Sequence, residues 1–124
     1  GISDQEVTEQ QIRLLEKQLW TLSKCKNVII GLHHVPTKSL LIQPRKLVPK
    51  FWRFANSFLG SQGFAEMIES FPNVRMVICG HIHRRESVKK GNLLYTSLGS
   101  TYGKKELREI TINGPKSDHK VKTF

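Results

Sequence analysis

Two short apolar runs, each followed directly by histidines, constrain the fold of this chain more than any other feature. The runs are Val28–Leu32 and Val74–Cys79, and both are rich in β-branched residues. Continuous apolar runs of this length are typical of strands covered on both faces, as in a parallel sheet. Because a helical pattern precedes each run, the order of elements is helix, strand, helix, strand, which predicts an α/β fold.

The helical patterns have recognisable ends. Residues Ser3–Glu6 (Ser-Asp-Gln-Glu) have the form of a capping box, and apolar residues then recur at helical spacing, which predicts an amphipathic helix from about residue 5 to 24. A second helix is predicted after Gly63 and is expected to end at Pro72-Asn73. Its apolar positions are Phe64, Met67, Ile68 and Phe71.

The region between the first strand and the second helix differs in character. Residues 36 to 50 include three prolines and several cations, which predicts an irregular surface loop. An aromatic cluster follows from Phe51 to Phe58, and we expect it on a short helix. Aromatic residues at helical spacing usually belong to a core, so packing is favoured over a role as a substrate cap.

The carboxy-terminal part of the chain favours strands. Turn signals containing Gly and Asn separate three short stretches, Ser87-Val88, Leu93–Leu98 and Arg108–Ile112. This β-rich tail is expected to form antiparallel strands that close an edge of the sheet.

The second apolar run leads into Gly80-His81-Ile82-His83. In an extended backbone His81 and His83 leave the same face, while Ile82 points the other way. Neutral imidazole is the commonest transition-metal ligand, and two imidazoles on one face can serve two ions. Gly80 is expected to let the backbone turn sharply before the first histidine. The position also fits, because open α/β sheets bind ligands beyond the carboxyl ends of their strands.

The first apolar run leads into a second histidine pair, His33-His34. Adjacent residues in an extended backbone point to opposite faces, so one is predicted as a metal ligand and the other as its outer partner. Either histidine motif alone is explained equally well by ordinary surface or core packing. Two strand ends that both carry histidines favour a shared metal site.

Taken in order, these motifs resemble the carboxy-terminal half of calcineurin-like metallophosphoesterases. The similarity comprises a helix, a strand ending in His-His-x-Pro, a strand ending in Cys-Gly-His-Ile-His-Arg, and a tail with Leu98-Gly99-Ser100. It implies that residues 1 to 124 form the carboxy-terminal half of one domain. The implied architecture is part of a four-layer α/β/β/α sandwich with a β-rich tail.

The resemblance also implies the roles of individual residues. His81 corresponds to a ligand of the second metal and His83 to a ligand of the first. The earlier ligand is His33 or His34, depending on which spacing to the proline is followed, and His33 is slightly favoured. The cofactors implied are two metal ions, drawn from manganese, iron and zinc. Arg84 could contact a substrate phosphate, although a surface cation is the more ordinary interpretation.

The ligand set implied by this family is incomplete in the sequence. Asp-x-His, Gly-Asp-x-x-Asp and Gly-Asn-His-Asp/Glu, the family's amino-terminal motifs, do not occur in these 124 residues. They would supply the carboxylate that bridges the ions and the histidine that protonates the leaving group. The chain is therefore expected to be nearly inactive by itself, with no catalytic acid or base of its own. We expect a missing amino-terminal half or a second copy to complete a hydrolase of phosphodiesters or monoesters.

A formal net charge of +10 favours anionic partners. A phosphorylated small molecule or nucleotide fits the resemblance. The alternative is a basic nucleic-acid-binding module without catalysis, for which the aromatic and cationic stretch from 45 to 58 would supply stacking and phosphate contacts. A structural zinc domain is a third interpretation, but it needs a further ligand such as Cys79, which lies inside a predicted strand.

The cysteine content and the hydropathy of the chain indicate the cellular compartment in which the protein is expected. The two cysteines, Cys25 and Cys79, both lie beside apolar segments, which predicts buried, reduced thiols and a cytoplasmic location. No apolar stretch approaches the roughly 20 residues of a membrane span, so no membrane partner is expected. A targeting segment upstream of residue 1 would be compatible with this pattern.

Overall fold

The computed structural model describes residues 3–33, 62–80, 85–99, 102–114 and 116–124. The loop predicted at 36 to 50 and the helix predicted at 51 to 58 lie outside these residues. The described elements are α1 (Asp4–Thr21), β1 (Val28–Leu32), α2 (Gln62–Glu69), β2 (Val74–Cys79), β3 (Ser87–Lys90), β4 (Leu93–Ser97), β5 (Glu106–Asn113) and β6 (Lys116–Thr123).

The predicted capping box begins α1. The Ser3 hydroxyl accepts a hydrogen bond from the Glu6 backbone N–H at 3.3 Å, and the Glu6 carboxylate accepts one from the Ser3 N–H at 2.8 Å. The helix ends at Thr21, earlier than the predicted residue 24. Asn73 explains the end, because its side-chain amide donates to the carbonyls of Leu22 and Cys25, both at 3.0 Å. The Leu22 carbonyl also accepts the Cys25 N–H at 2.9 Å, so Asn73 provides a second donor there.

Four of the strands form one mixed sheet in the order β1-β2-β4-β3. β1 and β2 are parallel, β2 and β4 are parallel, and β3 is antiparallel to β4. The predicted α/β fold is confirmed at this level. The register between β1 and β2 contains one irregularity: Val28 pairs with Val74 and Ile29 with Met76, so β2 has an extra residue, Arg75, at this point.

β2 lies at the centre of the sheet and is covered on both faces, as predicted. Val77 is 0% exposed and belongs to the core beneath the helices, and its neighbour Met76, 1% exposed, is buried as well. For β1 the same prediction is wrong. Val28 and Ile30 are buried, but Ile29 is 36% exposed. The physical reason is that side chains alternate between the two faces of a strand, so Ile29 points away from the core that contains Val28 and Ile30.

The second helix packs where its sequence pattern predicts, but it begins earlier, at Gln62, and ends earlier, at Glu69. Ala65 and Ile68 of α2 are fully buried against the sheet. Phe71 was expected on the helix and instead follows it, with its N–H bonded to the Ile68 carbonyl at 3.0 Å. Its ring remains in the core and meets the Trp20 ring edge-on, with centroids 5.3 Å apart. The aromatic contact therefore joins α1 to the segment between α2 and β2.

The β-rich tail is confirmed, but its pairing differs from the prediction. β3 and β4 form an antiparallel hairpin, with Gly91 at φ 58° in the turn, yet β4 joins the sheet by lying parallel to β2. β5 and β6 form a separate two-stranded sheet, turning at Gly114 with φ 60°. The sequence pattern missed β6, because Lys116–Lys120 is polar and lacks apolar alternation.

The β5–β6 hairpin is attached to the main sheet near both of its ends. At the turn, the Asn27 side-chain amide donates to the Gly114 carbonyl at 3.2 Å. At the open end, the Glu106 carboxylate accepts hydrogen bonds from Arg85 and from the Gly99 N–H. The hairpin thus connects the start of β1 with the segments that follow β2 and β4.

The two cysteines occupy different environments. Cys79 is buried as predicted, its thiol donates to the Thr96 carbonyl at 3.4 Å, and burial raises its pKa to about 11. Cys25 is exposed, so that half of the prediction is wrong, because the thiol follows the end of α1 and lies outside the core. Neither forms a disulfide. A buried, protonated Cys79 is a poor zinc ligand, which weakens the structural-zinc interpretation.

None of the helices in the described part of the chain has the length and apolar character needed to cross a membrane.

The two thiols should react with Ellman's reagent at very different rates. At mildly alkaline pH we expect one fast equivalent, from Cys25, and a second only after denaturation, because the thiolate is the reactive form and Cys79 is 2% exposed with a raised pKa. The Cys25→Ser variant should lose the fast phase. Two fast equivalents from the native protein would contradict the buried position of Cys79.

Candidate metal centre

The carboxyl ends of β1 and β2 lie side by side. Leu32 pairs with Cys79 in the parallel register, and the next residue, Gly80, donates its N–H to the Leu32 carbonyl at 3.1 Å. In the sequence His33 directly follows Leu32, and His81 directly follows Gly80. The ends of the two strands after which the histidine motifs begin therefore lie at the same edge of the sheet.

His33 lies against Gly80 at this edge. A Cβ built on Gly80 would be 3.7 Å from the His33 Nδ1 and 3.6 Å from its carbonyl oxygen. His33 is exposed to solvent. The expectation that Gly80 permits a sharp turn finds no support: its φ is not in the left-handed region, and the contacts of an added Cβ would be ordinary van der Waals distances.

The other predicted site residues, His34, His81, His83 and Arg84, lie outside the described residues. Their convergence with His33 stays a prediction. Among the residues that are described, no group of three or more His, Cys, Asp or Glu side chains is arranged to hold a metal ion.

The connection between β2 and β3, residues 80 to 86, is anchored on both sides of its histidines. Upstream, Gly80 is bonded to Leu32 as described above. Downstream, Glu86 and Ser97 bond to each other: the Ser97 N–H donates to the Glu86 carbonyl at 2.9 Å, and the Glu86 N–H donates to the Ser97 hydroxyl at 3.1 Å. The segment that contains His81 and His83 thus begins and ends on the sheet.

The side chain of Arg85 adds further contacts at the downstream end of this connection. Its Nη2 donates to Oε1 of Glu106 at 2.6 Å and to the Thr123 hydroxyl at 3.3 Å, and its Nε donates to Oε2 of Glu106 at 3.3 Å. Oε2 of Glu106 also accepts the Gly99 N–H at 2.7 Å. These donors hold the pKa of the Glu106 carboxyl below its usual range, with the Arg85 hydrogen bond as the largest cause and the Gly99 N–H as the second.

Sequence reasoning missed Glu106, because it placed none of the ten acidic residues near the histidines. Glu106 is 21 residues from Arg85, and the two meet only because the tail folds back on the sheet. In the structure Glu106, Arg108 and Ile110 alternate along β5 as its more buried residues, a pattern that the sequence alone does not show. Charged residues on the more buried side of a strand indicate partners on another segment.

A second cation lies near the same edge. Arg108 donates from Nη2 to the Ser97 carbonyl at 3.4 Å, and burial is the main cause that lowers its pKa, followed by the charge of Arg85. Arg85 and Arg108 accordingly give the region positive charge beyond what Glu106 balances. An edge of this kind attracts anions such as phosphate esters.

Comparison with known proteins gives a partial similarity. No protein-family profile matches the chain. Over 101 residues it is 29% identical to the 3',5'-cyclic adenosine monophosphate phosphodiesterase CpdA of Vibrio vulnificus (strain CMCP6), an alignment that covers 82% of this chain and 33% of that protein. The chain thus spans about a third of the length of this relative. The similarity suggests the metallophosphoesterase superfamily and a hydrolase of the phosphoesterase type.

Gly99 should be intolerant of a side chain, because an added Cβ would lie 3.0 Å from the Arg85 backbone nitrogen and 3.3 and 3.4 Å from the Glu106 carboxylate oxygens. We expect Gly99→Ala to lower the free energy of unfolding by about 1–3 kcal/mol, the usual cost of overpacking. The matched control is Gly103→Ala, where an added Cβ meets nothing within 4 Å and the φ is not left-handed.

Chemical denaturation checks this pair of variants. Gly103→Ala should be neutral or gain up to about 1 kcal/mol from the lower entropy of the unfolded chain. Equal stabilities of the two variants would show that the Gly99 segment relaxes away from Glu106.

Proposed function

We propose that this chain supplies histidine ligands to the two-metal site of a metallophosphoesterase that hydrolyses phosphoesters. One observation carries the proposal: the parallel pairing of β1 and β2 ends with Gly80 bonded to Leu32, where His33 and the His81-Ile82-His83 motif begin. The similarity to a phosphodiesterase supports the same class of reaction.

The proposed ligands are His81 for the second metal, His83 for the first, and His33 or His34 as the earlier ligand of the second metal. The exposed position of His33 beside Gly80 favours His33, with His34 as its outer partner. Neutral imidazole suits manganese, iron and zinc, so the donor type fits the ions implied. Bound ions would supply Lewis acidity that activates a water and stabilises charge on the phosphoryl group. In this scheme Arg84 contacts the phosphate of the substrate.

Three imidazoles cannot hold two ions without further donors. We propose that residues 1 to 124 are the carboxy-terminal half of one domain, and that the carboxylate ligands come from outside them. The four-layer α/β/β/α sandwich would be completed in the same way, by strands added along the outer edge of β1, which has no neighbour among the described strands. An amino-terminal half on a longer chain or a separate polypeptide is the preferred partner, and a second copy of this chain is the alternative.

The substrate we propose is a phosphodiester, with a cyclic nucleotide as the leading candidate because the similar protein is named for that activity. A phosphomonoester is the alternative. Arg85 and Arg108 near the site provide positive charge that either substrate would require. A cytoplasmic location would fit a nucleotide substrate and an exposed, reduced Cys25.

Metal binding tests the ligand assignment. The chain should bind Mn²⁺ weakly, and we expect His33→Ala, His81→Ala and His83→Ala each to weaken the affinity about tenfold or more, whereas His34→Ala should cost less. His119→Ala is the matched control, because His119 lies on β6 in the separate hairpin. Isothermal titration with Mn²⁺ measures the affinities.

If the wild-type chain binds no Mn²⁺, or if His119→Ala weakens binding as much as the other variants, the ligand assignment is wrong. In that case salt-dependent affinity for single-stranded oligonucleotides would favour the basic binding module, whose net charge of +10 provides for phosphate contacts.

The chain by itself should hydrolyse a nitrophenyl phosphodiester negligibly in the presence of Mn²⁺. The physical reason is that the bridging carboxylate implied by the family is absent from the sequence, so two cations cannot be held close together. Release of nitrophenolate measures the rate. Robust turnover that His81→Ala abolishes and His119→Ala preserves would show that the essential ligands lie within these 124 residues.

A further inference from the structure

The Glu106 carboxylate is surrounded by hydrogen-bond donors that suit a small oxyanion in general. Its Oε1 accepts from Nη2 of Arg85 at 2.6 Å, and its Oε2 accepts from Nε of Arg85 at 3.3 Å. Oε2 also accepts from the Gly99 N–H at 2.7 Å. An arginine that presents two parallel donors binds phosphate oxygens in the same way as it binds a carboxylate. These donors, the Arg85 guanidinium and the Gly99 N–H, therefore form an anion cradle that Glu106 fills.

The cradle favours a negatively charged occupant. The hydrogen bond from Arg85, followed by the one from the Gly99 N–H, holds the pKa of the Glu106 carboxyl below its usual range. The charge of Arg108 acts in the same direction, while desolvation acts against it. The Arg85 side chain is 49% exposed, so the cradle borders on solvent and a dissolved anion can reach it.

Gly99 leaves the space for the occupant of the cradle. A Cβ added to Gly99 would lie 3.3 and 3.4 Å from the two Glu106 oxygens and 3.0 Å from the Arg85 backbone nitrogen. A side chain there would enter the space that the carboxylate fills. Glycine is the default residue where the backbone has to approach a ligand closely.

The β5–β6 hairpin, which contributes Glu106, lies outside the hydrophobic core. None of the described residues of β5 and β6 belongs to the core cluster formed by the helices and the main sheet. Both strands contact Arg85 at the open end of the hairpin, where Glu106 and its register partner Thr123 accept from Nη2. Segments with few buried apolar contacts open at a lower free-energy cost than core strands do. The open end of the hairpin can thus leave Arg85 while the main sheet stays folded.

We propose that Arg85 and the Gly99 N–H form a binding site for free phosphate, which Glu106 occupies as an internal competitor. Phosphate binding and docking of the open end of the hairpin then exclude each other, because both use the same donors. Only 10% of the Glu106 side chain is exposed, so the cradle suits a small free ion better than a bulky ester. The inference goes beyond the proposed function, because it requires neither a metal ion nor a histidine ligand.

The Glu106→Ala variant empties the cradle without removing a donor. We expect it to bind inorganic phosphate about tenfold or more tightly than the wild type, because internal occupancy reduces the apparent affinity by the fraction of sites that are free. Glu109→Ala is the matched control, since Glu109 lies on the same strand, pairs with Lys122 at 3.5 Å and is 54% exposed. It removes the same charge from the hairpin, so a general electrostatic gain should appear in both variants.

Isothermal titration of the metal-free full chain with inorganic phosphate, at constant ionic strength, measures these affinities. Adding Arg85→Ala to Glu106→Ala should abolish the gain, because the forked donor is lost. A gain in Glu106→Ala no larger than in Glu109→Ala would overturn the proposal, and so would a gain that survives Arg85→Ala. Phenyl phosphate should bind more weakly than inorganic phosphate, and tighter binding of this ester would overturn the assignment to the free ion.

The wild-type chain gives a second readout that does not depend on the folding of a variant. Nuclear magnetic resonance follows the Gly99 N–H and the Glu106 carboxyl carbon during titration with phosphate, and with chloride at the same ionic strength. We expect phosphate to shift both signals together and to leave the β2 amides unchanged, because Glu106 leaves as phosphate enters. An equal effect of chloride, or an unchanged Glu106 signal at saturating phosphate, would overturn the proposal. These results are independent of Mn²⁺ binding, which tests the proposed function separately.

Discussion

The parallel hydrogen-bond ladder through β1, β2 and β4 is the constraint on which the other features of this chain depend. Because the three strands run in the same direction, their carboxyl ends meet at one edge, and whatever follows each strand in the sequence is delivered there. His33 follows β1, Gly80 follows β2 and Gly99 lies just past β4. The antiparallel hairpin β5–β6 then closes on this edge through Glu106. The direction of these strands thus brings residues from three distant parts of the chain to one edge of the sheet.

Local signals in the sequence predicted the individual helices and strands. The features that these signals did not predict depend on pairing between segments that are distant in the sequence. Ser3 and Glu6 identify the start of α1 because their hydrogen bonds are formed within one turn. The parallel pairing of β4 with β2 and the exposure of Ile29 depend on which segments pack together in the folded chain, and no local pattern encodes that. The same distinction applies to the site. The histidine motifs were visible as residues after apolar strands, whereas Glu106 is recognisable only once the tail has folded back on Arg85.

The charge distribution around the edge agrees with a phosphoester as ligand. Arg85 and Arg108 both reach this region. Glu106 forms a close ion pair with Arg85, so one carboxylate faces two arginines and the region keeps a positive charge. Similarity to a phosphodiesterase over 82% of the chain, which spans about a third of that protein, is consistent with the phosphoester chemistry proposed above. The formal charge of +10 favours an anionic ligand as well.

Arg75, the extra residue in β2, determines which residues of β1 and β2 lie opposite each other. It thereby affects where the two histidine motifs begin relative to one another. With it, Leu32 is level with Cys79; in an uninterrupted ladder from the Val28–Val74 pair, Leu32 would be level with Ile78. The irregularity therefore advances one strand past the other by one residue, a step of about 3.3 Å that also exchanges inward and outward faces. His33 and Gly80 lie opposite each other because of an insertion at the far end of the two strands. Deleting one residue there would shift the start of one histidine motif by one residue relative to the other, without changing the sequence of either motif.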